Sequence, residues 1–294
     1  MRVELLTVGE SFRDLVFVGL PHLPRSGEEL KSGRFVETIG GGAAITAVAA
    51  ARLGLRVAMI TGLASEAERE LKRERILVTN LRRAHEPAAV TVALSTTRDR
   101  SFVTYNGVNV NLQRRLLAAI ARRAAAHIHF AFSPDRCGVW TRLVRRLRSQ
   151  GVSTSWDFGW DPALLRRSGF IELAGEVDVL FMNEIEAALY ARARRNARTA
   201  VVKLGSRGSR WTSAATSISA PAPRVRAVDT TGAGDAFNGG FLFALLRGLT
   251  PRECLRLGNF VGARSTLAPG GIAALPSGRA RPARPSRPAW PARL

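Results

Sequence analysis

Cysteine is scarce: the 294-residue chain has two, Cys137 and Cys254, too few and too far apart for a disulfide framework or a zinc site. A reducing compartment, the cytoplasm, is the expected setting. No run of about 18 uncharged apolar residues occurs, so a membrane-spanning helix is not expected. Met1-Arg2-Val3-Glu4 leads straight into an apolar stretch and lacks the core of a signal peptide. Lysine is nearly missing: Lys31, Lys72 and Lys203 are the only three among 44 basic residues. Acids number 23, which leaves a net charge of +21. Clustered cations gain affinity for nucleic acid by releasing counterions, but these arginines are spread along the whole chain. A coding preference for arginine produces the same pattern, and nucleic acid is not expected as a partner. No Gly-x-x-x-x-Gly-Lys-Ser/Thr segment occurs, and no glycine loop fits Gly-x-Gly-x-x-Gly after a strand. His-x-x-x-His and His-Glu-x-x-His are also absent, so Walker, dinucleotide and paired-histidine metal mechanisms have no support. His127 and His129 share one strand and are expected to be structural.

What is present describes a globular chain, 46% hydrophobic and 23% charged, long enough to bury roughly three quarters of its unfolded surface. Short apolar runs at 5–9, 56–62, 127–132, 152–157, 177–182 and 199–205 alternate with helical stretches. One helix runs from Ala43 to Leu53 and stops at Gly54. Apolar runs separated by helices predict parallel strands joined by right-handed crossovers, hence an α/β, doubly wound, mostly parallel sheet. Two regions, within 12–39 and 88–105, read as strands without an intervening helix and predict a small antiparallel flap. Residues 279–294 hold five arginines, four prolines and no acid, so 276–294 is expected to be a solvated basic tail beyond a domain spanning 1–275.

Asp229-Thr230-Thr231-Gly232-Ala233-Gly234-Asp235 is the most informative stretch. Its glycines allow a tight turn with open N–H groups, and a helix follows, running to Arg247. Free amides at a helix N-terminus make an anion site, and a carboxylate beside it can accept a hydroxyl proton, the two requirements of phosphoryl transfer. By spacing alone the same residues are equally a turn with an N-capping aspartate. Gly40-Gly41-Gly42-Ala43-Ala44 similarly feeds a helix, either admitting a hydroxylated ligand close to the backbone or making a strand-to-helix turn.

Up to about Leu275 the order of these segments resembles the ribokinase, or PfkB-type, family of carbohydrate kinases. Gly40 to Gly54 resembles its first signature and Asp229 to Phe241 its second, more specific one. Asn183-Glu184-Ile185-Glu186 is similar to its Asn-x-x-Glu segment, and Gly205-Ser206-Arg207-Gly208 to its Gly-x-x-Gly turn. The resemblance implies an ATP-dependent enzyme that phosphorylates a primary hydroxyl of a small sugar or nucleoside. It implies Asp235 as catalytic base and the amides of Gly232, Ala233 and Gly234 as the anion hole. Asn183 and Glu186 correspond to residues that organise magnesium through water, with Asn183, Lys203, Gly205, Gly208 and Asn259 on the ATP side. Asp229 corresponds to the start of a loop that binds a monovalent cation such as K+, with Gly270-Gly271 opposite. Asp14, Gly41, Gly42 and the position of Ile45 correspond to the acceptor side. The flap corresponds to a lid that closes over the sugar and often joins two copies in a homodimer.

The chain departs from the pattern in several places. Ile45 stands where the signature normally has a substrate-binding asparagine, and Phe12 and Gly42 replace polar positions used for ribose. Loss of a polar partner changes discrimination by orders of magnitude, which disfavours ribose and suggests a less polar or larger acceptor. Gly62-Leu63-Ala64-Ser65-Glu66 occupies the place of the family's Gly-Asp-Asp-x-x-Gly segment. Trp156-Asp157 resembles an aspartate-bearing strand end and receives no role. A non-catalytic, ligand-binding relative is the remaining alternative.

Overall fold

The computed structural model describes residues 3–96 and 100–276. The basic tail, apart from Pro276, lies outside the described residues. In chain order the elements are β1 (Val3–Gly9), β2 (Phe12–Leu20), β3 (Arg34–Gly40), α1 (Gly42–Arg52), β4 (Val57–Thr61), α2 (Ser65–Arg73) and β5 (Leu77–Asn80). Then come β6 (Val90–Thr96), β7 (Arg100–Tyr105), α3 (Leu112–Ile120), β8 (Ala125–Ala131), α4 (Cys137–Ser149), β9 (Ser153–Asp157) and α5 (Phe170–Glu176). The last third holds β10 (Val179–Asn183), α6 (Glu184–Leu189), α7 (Ala191–Asn196), β11 (Thr199–Lys203), β12 (Ser209–Ser213), β13 (Ser217–Ala220), α8 (Ala233–Leu246) and α9 (Pro251–Ser265).

Nine strands form the main sheet in the order β13-β12-β11-β10-β9-β8-β1-β4-β5. From β11 to β5 every pairing is parallel, while β12 and β13 add an antiparallel edge. The expected doubly wound sheet is therefore present, with β5, β12 and β13 added to the strands visible in the sequence. Alternate side chains feed two cores. Leu5, Met59, Phe181 and Val201 point to the face covered by α1, α8 and α9, and Leu6, Ile60, Ile128 and Leu180 to the face covered by α3, α4 and α5. Both faces are buried, which is why these strands read as unbroken apolar runs. The second core centres on Trp156, fully buried and stacked on Phe130 with ring centroids 4.4 Å apart. Burying each such ring contributes about 1.5–3 kcal/mol.

On the first face, α8 packs tightly between neighbours because glycine faces both. A Cβ at Gly239 would lie 2.5 Å from the Ala49 Cβ of α1, and one at Gly240 would lie 2.7 Å from Val261 of α9. This close approach draws the start of α8 onto the strand ends.

The smaller sheet has the order β3-β2-β6-β7. Its two outer pairs are antiparallel, as expected of the flap, and its central pair, β2 with β6, is parallel. The single strand within 30–39 finds its antiparallel partner in β2 rather than within its own segment. No described helix is long and apolar enough to cross a membrane.

Candidate active site

In the main sheet β4 and β8 flank β1, so the chain winds first to one side of β1 and later to the other. Ligands of such sheets bind at the carboxyl ends of the strands where the winding reverses. That edge carries Gly9, Ala131, Asp157, Asn183 and Lys203, the last residues of β1, β8, β9, β10 and β11. The N-termini of α1 and α8 converge above it.

Asp235 is the third residue of α8, and the helix is capped by Gly232 in the left-handed conformation, φ 68°. The aspartate is thus inside the first turn and is not the N-cap. The amides of Gly232 and Gly234 have no protein acceptor among the described residues, whereas Ala233 N–H reaches Thr230 O at 3.3 Å. Gly41, at φ 99°, brings α1 against this turn, and a Cβ on Gly42 would lie only 2.8 Å from Asp235 Oδ1. Thr46 Oγ1 donates to Asp235 O at 3.0 Å and ties the two helices together. Burial, reinforced by the charge of Asp157 and opposed by Lys203, pushes the Asp235 carboxyl up to about 7. An acid poised there accepts a proton at neutral pH.

Asp14, on β2, is buried with no hydrogen-bond partner among the described residues. Its carboxyl rests against Gly40, where a Cβ would meet it at 2.0 Å. Burial and the neighbouring Asp229 charge raise its pKa to about 7. Asp14, Asp229 and Asp235 therefore share one electrostatic neighbourhood. Asp229 itself shapes the loop: its Oδ1 accepts from Thr231 N (2.9 Å) and Thr231 Oγ1 (2.7 Å), and its Oδ2 from Gly270 N (2.9 Å).

Ile45 does not line the acceptor side as expected. It is 2% exposed, and Cβ atoms on Gly232 or Gly271 would lie 2.4 and 2.6 Å from its Cδ1. It fills the space between the two glycine loops, because α1 turns that side chain toward α8, and it carries no information about acceptor polarity.

Of the residues expected on the ATP side, Lys203, Gly205, Gly208 and Asn259 line a cavity of about 350 Å³, within the range of small-ligand sites, and Asn183 does not. Lys203, Gly205 and Gly208 form one wall, and Ala233, Gly234 and Phe237 of the α8 start a second. Asn259 of α9 and the segment around Val225 and Ala227 close it. Gly205 and Gly208, at φ 59° and 101°, bracket a 3-10 turn closed by Leu204 N to Gly208 O at 2.8 Å. Asn259 Nδ2 donates to Ala220 O (3.0 Å) and Pro221 O (3.2 Å), holding the end of β13 at the cavity rim.

Asn183 and Glu186 form a reciprocal cap on α6. Asn183 Oδ1 accepts from Glu186 N, and Glu186 Oε2 from Asn183 N, both at 2.8 Å. Glu186 is buried, which raises its pKa, with Asp157 adding to the effect and Lys203 opposing it. No cluster of three or more metal-ligating side chains exists among the described residues, so a divalent cation here would take most of its ligands from water and phosphate. Glu186 suits that arrangement, since a nearby cation would ease a carboxylate penalised by burial.

Lys203, expected on the ATP side, is also engaged in an ion pair that the sequence reading did not include. Its Nζ donates to Asp157 Oδ2 at 2.6 Å, and Asn238 Nδ2 donates to the same oxygen at 2.8 Å. Burial disfavours the ammonium, but Asp157, Glu186 and Asp235 together hold its pKa above the ordinary lysine value. Burial likewise disfavours the Asp157 carboxylate, but Lys203, Asn238 and His129 together outweigh this and lower its pKa. Sequence reasoning noticed Asp157 without assigning it and missed Asn238, whose place three residues after Asp235 puts both on one helix face. His127 and His129 are fully buried and bonded to Ser153 and Ser155, as expected of structural residues. Trp156 is core, while Trp160 is exposed.

A profile of the pfkB family carbohydrate kinases matches residues 3–278. An uncharacterised sugar kinase of Archaeoglobus fulgidus is 36% identical over 107 residues, a match covering 36% of this chain and 43% of that one. Ribokinase of Haemophilus influenzae is 26% identical over 94% of this chain and 96% of its own length. The crystal structure of adenosine kinase from Sinorhizobium meliloti superposes with a TM-score of 0.76 at 25% identity, covering 92% of this chain and 95% of that one. Matched over nearly its whole length, the chain belongs to the pfkB family of carbohydrate kinases and is a phosphotransferase of the sugar and nucleoside kinase class.

Proposed function

We propose that the protein transfers the γ-phosphoryl group of ATP to a primary hydroxyl of a small sugar or nucleoside, with Asp235 as base. The observation that carries this reading is the pairing, on one helix turn, of unengaged Gly232 and Gly234 amides with a half-buried carboxyl whose pKa is raised to about 7. Asp235 takes the hydroxyl proton as the acceptor oxygen forms its bond to phosphorus. The bond to the ADP oxygen breaks on the far side, and the amides meet the charge on the oxygens in flight. The cavity walled by Gly205, Gly208, Val225, Ala227 and Asn259 suits the nucleotide, and Asp14 suits the acceptor's hydroxyls, which can donate to its bare carboxyl. Glu186, with Asn183 behind it, is the carboxylate that would hold the water shell of magnesium, which would supply positive charge to the phosphates. Asp229 and Gly270, already bonded to each other, are the residues beside which K+ would brace that loop. The smaller sheet would close over the acceptor. Phe35, Phe102, Val103 and Tyr105, all at least half exposed on its outer strands, would meet their counterparts in a homodimer. Two buried free cysteines and a need for ATP suit the cytoplasm.

The test is ATP consumption by the purified protein with magnesium and potassium against a panel of sugars and nucleosides. Turnover with at least one acceptor is expected, lowered at least a hundredfold in Asp235→Asn. Nucleotide binding without transfer to any acceptor would favour the non-catalytic alternative, to which nothing in the site geometry points.

A further inference from the structure

The reading above leaves Lys203 as one lining residue among several and gives Asp157 and Asn238 no part. Their arrangement is more specific than that. Asp157 ends β9 and Lys203 ends β11, with β10 between them, so the ion pair spans the end of the middle strand. Both side chains are about nine-tenths buried, Asp157 at 9% and Lys203 at 12% exposure. Asp157 Oδ2 takes two donors, Lys203 Nζ and Asn238 Nδ2, and its Oδ1 accepts from Gly159 N at 3.2 Å. The carboxylate therefore accepts three hydrogen bonds and is fixed by a strand, a turn and α8 at once. The ammonium is not saturated. Of its three hydrogens one serves Asp157, and a second has only Asn238 Oδ1, at 3.5 Å. Its nitrogen lies directly beneath the anion-hole turn, where a Cβ on Gly234 would be 3.0 Å from it. It also opens on the cavity assigned to the nucleotide.

Resting on the kinase reading, we propose that Lys203 is a catalytic residue. Its ammonium donates a hydrogen bond, its proton staying on nitrogen, to the transferring phosphoryl group from beside the Gly232 and Gly234 amides. Asp157 and Asn238 are the positioning residues that hold it there. A lysine on a flexible stem reaches such a point only at an entropic cost; two fixed partners remove that cost before substrate arrives. A carboxylate held by three donors beside an ammonium with a hydrogen to spare is the arrangement this role requires.

The experiment compares wild type, Lys203→Met and the neutral pair Lys203→Met/Asp157→Asn, using the acceptor found by the ATP screen. Lys203→Met is expected to lower kcat about 10²- to 10³-fold, the usual cost of losing one transition-state donor, with KM for ATP changed less than tenfold. The double variant removes both charges of the pair, so Asp157 is not left as an uncompensated buried carboxylate, and it is expected to fold and to show the same loss. Methylammonium is expected to restore part of the turnover of Lys203→Ala in a saturable way. Recovery of turnover in the double variant to within about threefold of wild type would make the pair structural and overturn the assignment, as would a folded Lys203→Met of near wild-type kcat. In both cases the kinase reading would stand. A wild-type protein that binds ATP and phosphorylates no acceptor overturns that reading, and the role of Lys203 with it.

Discussion

Asp235 combines two demands that oppose each other at the scale of a single residue. A carboxyl half-buried beside Asp157 is reluctant to ionise, yet a base must be ionised to work. The compromise is a pKa of about 7, and the activity should follow it. kcat/KM is expected to rise with pH through about 7 as Asp235 loses its proton, and a pH–rate profile measures this limb. An acid limb below pH 5 would show that Asp235 ionises like a solvated carboxyl. Asp235→Asn, which keeps the shape and removes the proton acceptor, is expected to lower kcat about 10²- to 10⁴-fold while leaving ATP affinity, read by calorimetry, within a few fold. The same residue was recognisable from Gly-Ala-Gly-Asp because the motif is local: tight turn, open amides and acid all lie within one helix turn. Ile45 was misread for the converse reason. Its identity suggested an apolar acceptor, but which way a helix residue faces depends on what the helix packs against.

At the scale of elements, the site is made by two helix starts held against one sheet edge. Gly42 of α1 faces the Asp235 carboxyl so closely that a methyl group there would stand 2.8 Å from Oδ1 and 3.1 Å from the Ala131 Cβ. Gly42→Ala is expected to displace the base by some tenths of an ångström, lowering kcat tenfold or more with a change in Tm of only a few degrees. Deeper in the same contact, Gly239→Val has no room beside Ala49 and the Thr46 carbonyl. It is expected to cost about 1–3 kcal/mol by overpacking, measurable by denaturant unfolding, and to reduce turnover because α1 and α8 must part. The two variants separate displacement of the base from loss of packing. Both helices were visible from their glycine stops and alanine-rich run. Their contact was not, since α1 and α8 lie nearly two hundred residues apart in the chain, as the Thr46–Asp235 bond shows.

Across the whole molecule, the site is a standing cost to stability. Glu10, at the end of β1, and Asp14 are, like Asp235, raised to about 7, chiefly by burial. A carboxyl whose folded pKa lies above its unfolded value binds its proton more tightly when folded, so its contribution favours the fold at acid pH and is lost as pH rises toward 7. Asp14→Asn removes that loss. It is expected to raise stability by roughly 2–4 kcal/mol at pH 8, and by far less at pH 5, where Asp14 is already protonated. Equal gains at both pH values would mean the carboxyl is not strained by burial. His127 and His129 act in the opposite sense. Burial lowers them to about 3 and about 4, so below pH 6.5 only the unfolded chain takes up their protons and stability falls. His127→Gln is expected to flatten the loss between pH 6.5 and 4 by about 1.4 kcal/mol per pH unit, read from Tm against pH.

By itself the sequence determined the alternation of strands and helices, the two glycine loops, the acid at the start of α8 and, through their order, the family. These are short-range properties: apolar periodicity, turn residues and caps act within a few positions of where they are written. Only the tertiary structure decided that Lys203 meets Asp157 across 46 residues of chain, that Asn183 and Glu186 spend part of their polar capacity capping a helix, and that Ile45 is packing rather than pocket. The physical reason is that strand order sets which strand ends become neighbours. A side chain's charge, exposure and proton affinity then follow from those neighbours, not from its own place in the chain.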